Sequence, residues 1–156
     1  MRIGRWTNGI ACEFEMQAIF KKWLGSKELK FIDEMTISEI GRRPDFLIIK
    51  EQRILINVEA KCINLQCMIE QLNDNAKYCN YSFAFIPDYT LTPKWFKEVL
   101  IEKGYGLIIY NYNNKIITEA LESHVNKNVN NVLRRKIIER INNKLINNQF
   151  ENNKLL

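Results

Sequence analysis

Glycine and proline are scarce in this chain, six and three among 156 residues, and neither occurs after residue 110. No glycine-rich loop precedes a helix, so a nucleoside-triphosphate cradle is not expected. Histidine occurs once, at His124, which leaves a histidine-based nuclease or an acyl-transfer triad without a second partner. The four cysteines, at 12, 62, 67 and 79, make no Cys-x-x-Cys pair. Paired spacing is what a structural zinc site needs, and in a reducing compartment such cysteines behave as small buried hydrophobes. No uninterrupted apolar run approaches the ~20 residues of a membrane span. No apolar leader follows Met1-Arg2-Ile3-Gly4-Arg5, so a cytoplasmic protein with no membrane partner is expected.

The composition is that of one soluble domain with a single core: 46% apolar and 26% charged residues. Lysine and arginine outnumber the acids by 23 to 18, for a net charge of +5. A basic surplus suits a polyanionic partner.

Residues 8–24 carry Ile10, Phe14, Ala18, Ile19 and Trp23 at helical spacing, and Gly25-Ser26 closes the segment. A strand is expected over 30–37. Then Phe46–Ile49 and Ile54–Val58 flank a polar tip, Lys50 to Arg53, which reads as a β-hairpin. Arms this apolar on both faces belong to the centre of a covered sheet. A helix over 64–79, a strand at 81–86, a helix from Pro93 to about Lys103 stopped by Gly104, and a last core strand at 107–110 follow. This alternation predicts an α/β fold: parallel crossovers added to the hairpin, giving a mixed sheet. From 111 onward asparagine becomes abundant, yet Val125, Val129, Val132, Leu133, Ile137, Ile141 and Leu145 keep a helical stripe over 125–147. The expected organisation is a core over 1–110, a helical extension over 111–148 and a frayed tail over 149–156. His124 falls at the expected helix start, away from the residues discussed next.

Three residues carry the chemistry: Asp45, Glu59 and Lys61. Glu59 and Lys61 are two apart on one strand and so share a face. Asp45 opens the partner arm, and the hairpin folds these distant ends together. A two-residue turn would set Asp45 opposite Val58; a three-residue loop or a bulge sets it opposite Glu59, and the latter is expected. Two carboxylates at one sheet end repel unless a cation lies between them, and hard oxygen ligands select Mg²⁺ or Mn²⁺. The backbone carbonyl of Ala60 is a further ligand candidate. Such a metal polarises a phosphodiester oxygen and acidifies a bound water, while Lys61 stabilises the developing charge or orients the attacking water. A bare match to this spacing recurs by chance, and its weight comes from context: proline before Asp45, a hairpin between the acids, and a helix–strand–helix–strand continuation.

Arg43-Pro44-Asp45, thirteen residues, then Glu59-Ala60-Lys61 resembles the signature of the PD-(D/E)XK nuclease superfamily. The order of elements over 8–110 is similar to that superfamily's as well. The resemblance implies a restriction-endonuclease-like mixed sheet flanked by helices, here with an extra C-terminal helix, and an Mg²⁺-dependent deoxyribonuclease. Many members add an acid from the leading helix as a metal ligand; Glu13 and Glu15 are the candidates here, with Glu13 preferred. Many also carry a glutamine on the helix after the E-x-K strand, for which Gln66 and Gln71 qualify.

DNA contacts are expected from Arg42 and Arg43 beside the centre, and from the basic C-terminal helix with Arg134, Arg135, Lys136, Arg140 and Lys144. Lys77, Lys94, Lys97 and Trp95 are further surface candidates. The apolar stripe of that helix packs on the domain or on a second copy, and a homodimer would supply two centres for two strands. The expected function is an endonuclease cutting DNA in a restriction, repair or structure-selective role. The rival is a non-catalytic DNA-binding or scaffold subunit with a nuclease-like fold. RNA is compatible with the same residues.

Overall fold

The computed structural model describes residues 9–90 and 92–154, with side chains described for 13–90 and 92–149. Residues 1–8 and the side chains of Ile10 and Cys12 lie outside the described residues. The elements run α1 (Gly9–Ser26), β1 (Lys30–Asp33), β2 (Phe46–Lys50), β3 (Ile54–Ala60), α2 (Leu65–Ala76), β4 (Tyr81–Pro87), α3 (Lys94–Lys103), β5 (Gly106–Asn111), β6 (Ile116–Leu121) and α4 (Asn131–Lys154). The six strands form one mixed sheet in sequence order. The two parallel pairs, β3–β4 and β4–β5, are joined through α2 and α3; the other three pairs are antiparallel. This is the α/β alternation the sequence predicts.

Strand alternation divides the core. Phe46, Ile48, Val58, Ala60, Phe85 and Ile108 point to one face, where Met16, Phe20 and Leu24 of α1 cover them. On the other face Leu47, Ile49 and Leu55 pack under Ile137, Ile138 and Ile141 of α4. Ala84, Ile86 and Leu107 lie beneath α2 and α3. The C-terminal helix therefore spends its stripe on its own domain, over the hairpin-tip half of the sheet. Among the described residues no helix is long and apolar enough to cross a membrane. Cys62 and Cys79 are buried, as small hydrophobes would be.

Several expectations are corrected. The buried stripe of α1 is Met16, Phe20 and Leu24, flanked by Ile19 and Trp23, whereas Phe14 is 75% exposed. The first strand ends at Asp33 because Glu34 turns with a positive φ of 52°; Ile37 makes only an isolated bridge to Arg42. A sixth strand, Ile116–Leu121, follows where helical extension was expected. Its entry is an asparagine turn, Asn111 Oδ1 accepting from the N–H groups of Asn113 and Asn114. The last helix begins at Asn131 rather than 125, with Asn130 Oδ1 capping Leu133 N–H at 3.0 Å. Val125, before the helix, and Val132, in its first turn, are both exposed. The helix also continues through the expected frayed tail to Lys154. One glycine is sterically required: a Cβ on Gly106 would meet the Phe83 ring at 2.4 Å and the Leu121 carbonyl at 2.9 Å.

Candidate functional site

The β2–β3 register decides whether the acids can meet. Lys50 pairs with Ile54 across a three-residue loop, and Phe46 pairs with Val58. One step further places Asp45 opposite Glu59, as expected. Phe46 and Val58 face α1, so their neighbours Asp45 and Glu59, and Lys61 two residues on, share the opposite face. The three side chains gather where β3 ends.

Each acid is held by a specific donor. Asp45 Oδ2 accepts the Ala60 N–H at 2.8 Å. Glu59 is only 1% exposed, and its Oε1 accepts from Asn75 Nδ2 at 2.8 Å. Asn75 Oδ1 in turn accepts the Tyr78 hydroxyl at 2.5 Å. Burial is the main reason the Asp45 carboxyl is held above the ordinary carboxylate range. For Glu59, burial first and the adjacent Asp45 second push the value up to about 9. The two carboxyls lie close enough to act directly on each other. Burial also raises the Tyr78 phenol, keeping it a donor to Asn75.

Asn75 was not singled out from the sequence, yet its signal is there. Leu65, Met68 and Leu72 mark the buried face of α2, and Asn75 continues that stripe at i+3. An amide on an apolar stripe needs a buried partner, and here the partner is Glu59. Asn75→Ala would leave Glu59 Oε1 and the Tyr78 hydroxyl unpaired in the core. It is expected to lower unfolding free energy by about 1–3 kcal/mol, measurable by urea denaturation.

The neighbouring Asp74 receives Arg42 Nε at 2.7 Å, and this hydrogen bond is the main reason the Asp74 carboxyl lies below its usual range. The C-terminal end of α2 thus holds both arms of the site: Asn75 holds Glu59, and Asp74 holds the segment leading to Pro44-Asp45. Arg42 is therefore engaged in positioning, whereas Arg43 is exposed.

The two acids on the leading helix differ in their surroundings. Glu13 Oε1 accepts the Cys62 N–H at 3.1 Å, beside the end of β3, and its charge is felt at Asp45. Glu15 instead pairs with Lys115 at 3.0 Å. Glu13 precedes Met16 by three residues, so it extends the buried stripe that the sequence pattern misaligned. Gln66 is exposed, and Gln71 is half-buried one turn before Asn75. Among the described residues, no three His, Cys, Asp or Glu side chains already converge as metal ligands.

On α4, Arg140 forms a two-pronged pair with Glu39, at 2.8 and 2.5 Å. Arg135 Nε bonds the Asn131 carbonyl, and Arg134 is half-buried. These arginines lie on the helix that covers the hairpin-tip half of the sheet, whereas Asp45 and Glu59 lie at its other end.

No protein-family model matches this chain, and no curated protein does so. A solved structure similar to it is that of a protein of unknown function from Silicibacter pomeroyi: TM-score 0.58 and 13% identity, over 81% of this chain and 80% of that one. The likeness is one of fold.

Proposed function

We propose that the chain is a divalent-metal-dependent endonuclease of the PD-(D/E)XK kind, with a restriction-endonuclease-like core, that hydrolyses DNA phosphodiester bonds. The observation that carries this reading is the pairing of a part-buried carboxyl with a buried one, Asp45 opposite Glu59, with Lys61 on the same face at one sheet end. The donor set suits Mg²⁺ or Mn²⁺, because burial, which raises both proton affinities, disfavours uncompensated negative charge, and a hard dication offsets that charge as a proton does. Asp45 and Glu59 would hold it, assisted by the Ala60 carbonyl and by Glu13 once that side chain exchanges its bond to Cys62. When bound, the ion polarises a phosphodiester oxygen and acidifies water.

The chain's own residues supply the rest. Asn75 fixes Oε1 of Glu59 and leaves Oε2 to serve as a ligand. The Ala60 N–H does the same for Asp45, leaving Oδ1. Lys61 neutralises negative charge that builds on the phosphoryl oxygens. Arg43, exposed beside Asp45, is placed to grip a neighbouring phosphate. Two copies of the chain would present one centre to each strand.

Supercoiled plasmid incubated with Mg²⁺, Mn²⁺ or EDTA tests this reading, beside duplex RNA as a second substrate. Nicking that EDTA stops is the expected result. Tight DNA binding without cleavage in either metal would favour a non-catalytic DNA-binding subunit, and cleavage of RNA alone would move the substrate class.

A further inference from the structure

A second polar cavity of about 230 Å³ lies between the C-terminal end of α2, the starts of β4 and β5, and the segment after β6, and neither Asp45, Glu59 nor Lys61 lines it. β3 and β4 are parallel, and Ser82 on the cavity wall pairs with Asn57, two residues before Glu59. The cavity therefore lies toward the strand starts, whereas Asp45, Glu59 and Lys61 gather where β3 finishes.

Its lining is chemically one-sided. Lys77, Lys103 and His124 contribute cationic or imidazole groups, and no Asp or Glu lines it. The asparagines add donors. Asn80 Oδ1 is taken by the Leu55 N–H at 2.9 Å, and Asn73 Oδ1 by the Tyr105 hydroxyl at 2.7 Å. Both acceptors are thus used internally, and the two amide NH₂ groups remain to serve a ligand. Lys77 has a long contact of 3.5 Å to Asp74, which is itself bound more closely by Arg42 at 2.7 Å.

The far wall is built rigidly from irregular backbone. Asn126 Nδ2 donates to the Ala76 carbonyl at 2.7 Å, its N–H to Asn80 at 2.8 Å, and its Oδ1 accepts from Asn128 N–H. The N–H groups of His124 and Asn130 bond the Gly104 and Lys77 carbonyls, both at 2.8 Å. This segment is held by polar bonds, with Val125 exposed, so its placement is not explained by core packing.

We propose that this cavity is a second binding site, for a phosphoryl group: a free phosphate or the terminal phosphate of a nucleic acid. Multiple N–H donors and ammonium groups without a carboxylate select an oxyanion. The volume is below the roughly 300–1,000 Å³ of pockets that enclose drug-sized ligands, which suits a phosphate monoester rather than a large cofactor. The site does not depend on the metal chemistry proposed above.

His124 is the only histidine in the chain, so its imidazole NMR signals report on the cavity alone. Inorganic phosphate, and a dinucleotide with or without a 5′-phosphate, would be titrated in EDTA while those signals are followed. The expected result is saturable perturbation by phosphate or by the phosphorylated dinucleotide, and none by the unphosphorylated one. Response to phosphate only assigns a free anion; response to the phosphorylated dinucleotide assigns a nucleic-acid end. Lys103 and Lys77 are exposed, so K77A/K103A should fold, and it should weaken binding at least tenfold. D45A leaves every residue that lines the cavity unchanged and should bind as wild type does. No saturable response to either phosphate compound, or equal affinity in K77A/K103A, would overturn the proposal.

Discussion

Asp45→Ala and Lys61→Ala are each expected to lower Mg²⁺-dependent plasmid nicking by on the order of 10²–10³-fold or more. The two losses have different causes. Asp45 supplies half of the carboxyl pair, so its removal should weaken the cation as well as the reaction. Lys61 carries no ligand oxygen; its removal should spare metal affinity and remove charge stabilisation from the phosphoryl group. Melting curves separate either effect from misfolding. Asp45 is a partly exposed residue just before β2 and Lys61 lies at the end of β3, so both variants should stay folded. Nicking that survives in both variants would remove the pair from the chemistry.

Glu59→Gln should stabilise the metal-free protein. Glu59 has a folded pKa raised to about 9, against about 4.3 in an unfolded chain. Below about pH 4 the carboxyl is protonated in both states and costs nothing differential. As pH rises from there toward 9, the unfolded state ionises while the folded state retains its proton, so stability falls progressively across that window. Asp45, raised for the same main reason, adds to the slope in the same direction. Glutamine keeps an acceptor for Asn75 and offers Asp45 a donor at every pH. The expected gain at pH 8 is about 1–2 kcal/mol, typical of relieving a strained functional site, and about 2–4 °C in Tm per kcal/mol for a domain of this size. At pH 4 the gain should shrink toward zero. A variant less stable than wild type at pH 8 would mean that the ionised pair is comfortable in the fold, contrary to its burial.

The hairpin and the two crossovers were legible because each strand is a short apolar run bounded by a clear stop: Lys50 to Arg53 at the tip, Pro87 after β4, Gly104 before β5. The candidate site was legible for a related reason: strand period puts Glu59 and Lys61 on one face, and a three-residue tip, expected over a two-residue turn, adds Asp45. What escaped lies where no apolar pattern speaks. β6 is an edge strand with mostly exposed side chains, so it lacks the continuous run that marks β4. The α1 stripe was read one register off because Phe14, although aromatic, is solvent-facing; the choice between Glu13 and Glu15 hung on that register. Arg42 looked like a phosphate contact because nothing in the sequence shows Asp74 lying beside it, 32 residues away. Arg140 and Glu39 are a longer-range case of the same kind. Ion pairs between distant segments leave no local pattern to read.

The most direct test is a calorimetric titration of Mn²⁺ into wild type and Glu59→Gln at pH 8, in two buffers of different ionisation enthalpy. A cation entering between Asp45 and Glu59 must displace the proton they hold, so wild type should bind with release of about one proton. Glu59→Gln should bind at least tenfold more weakly and release none. Equal affinity in the two proteins, or binding with no proton released by wild type, would contradict a metal seat at this carboxyl pair.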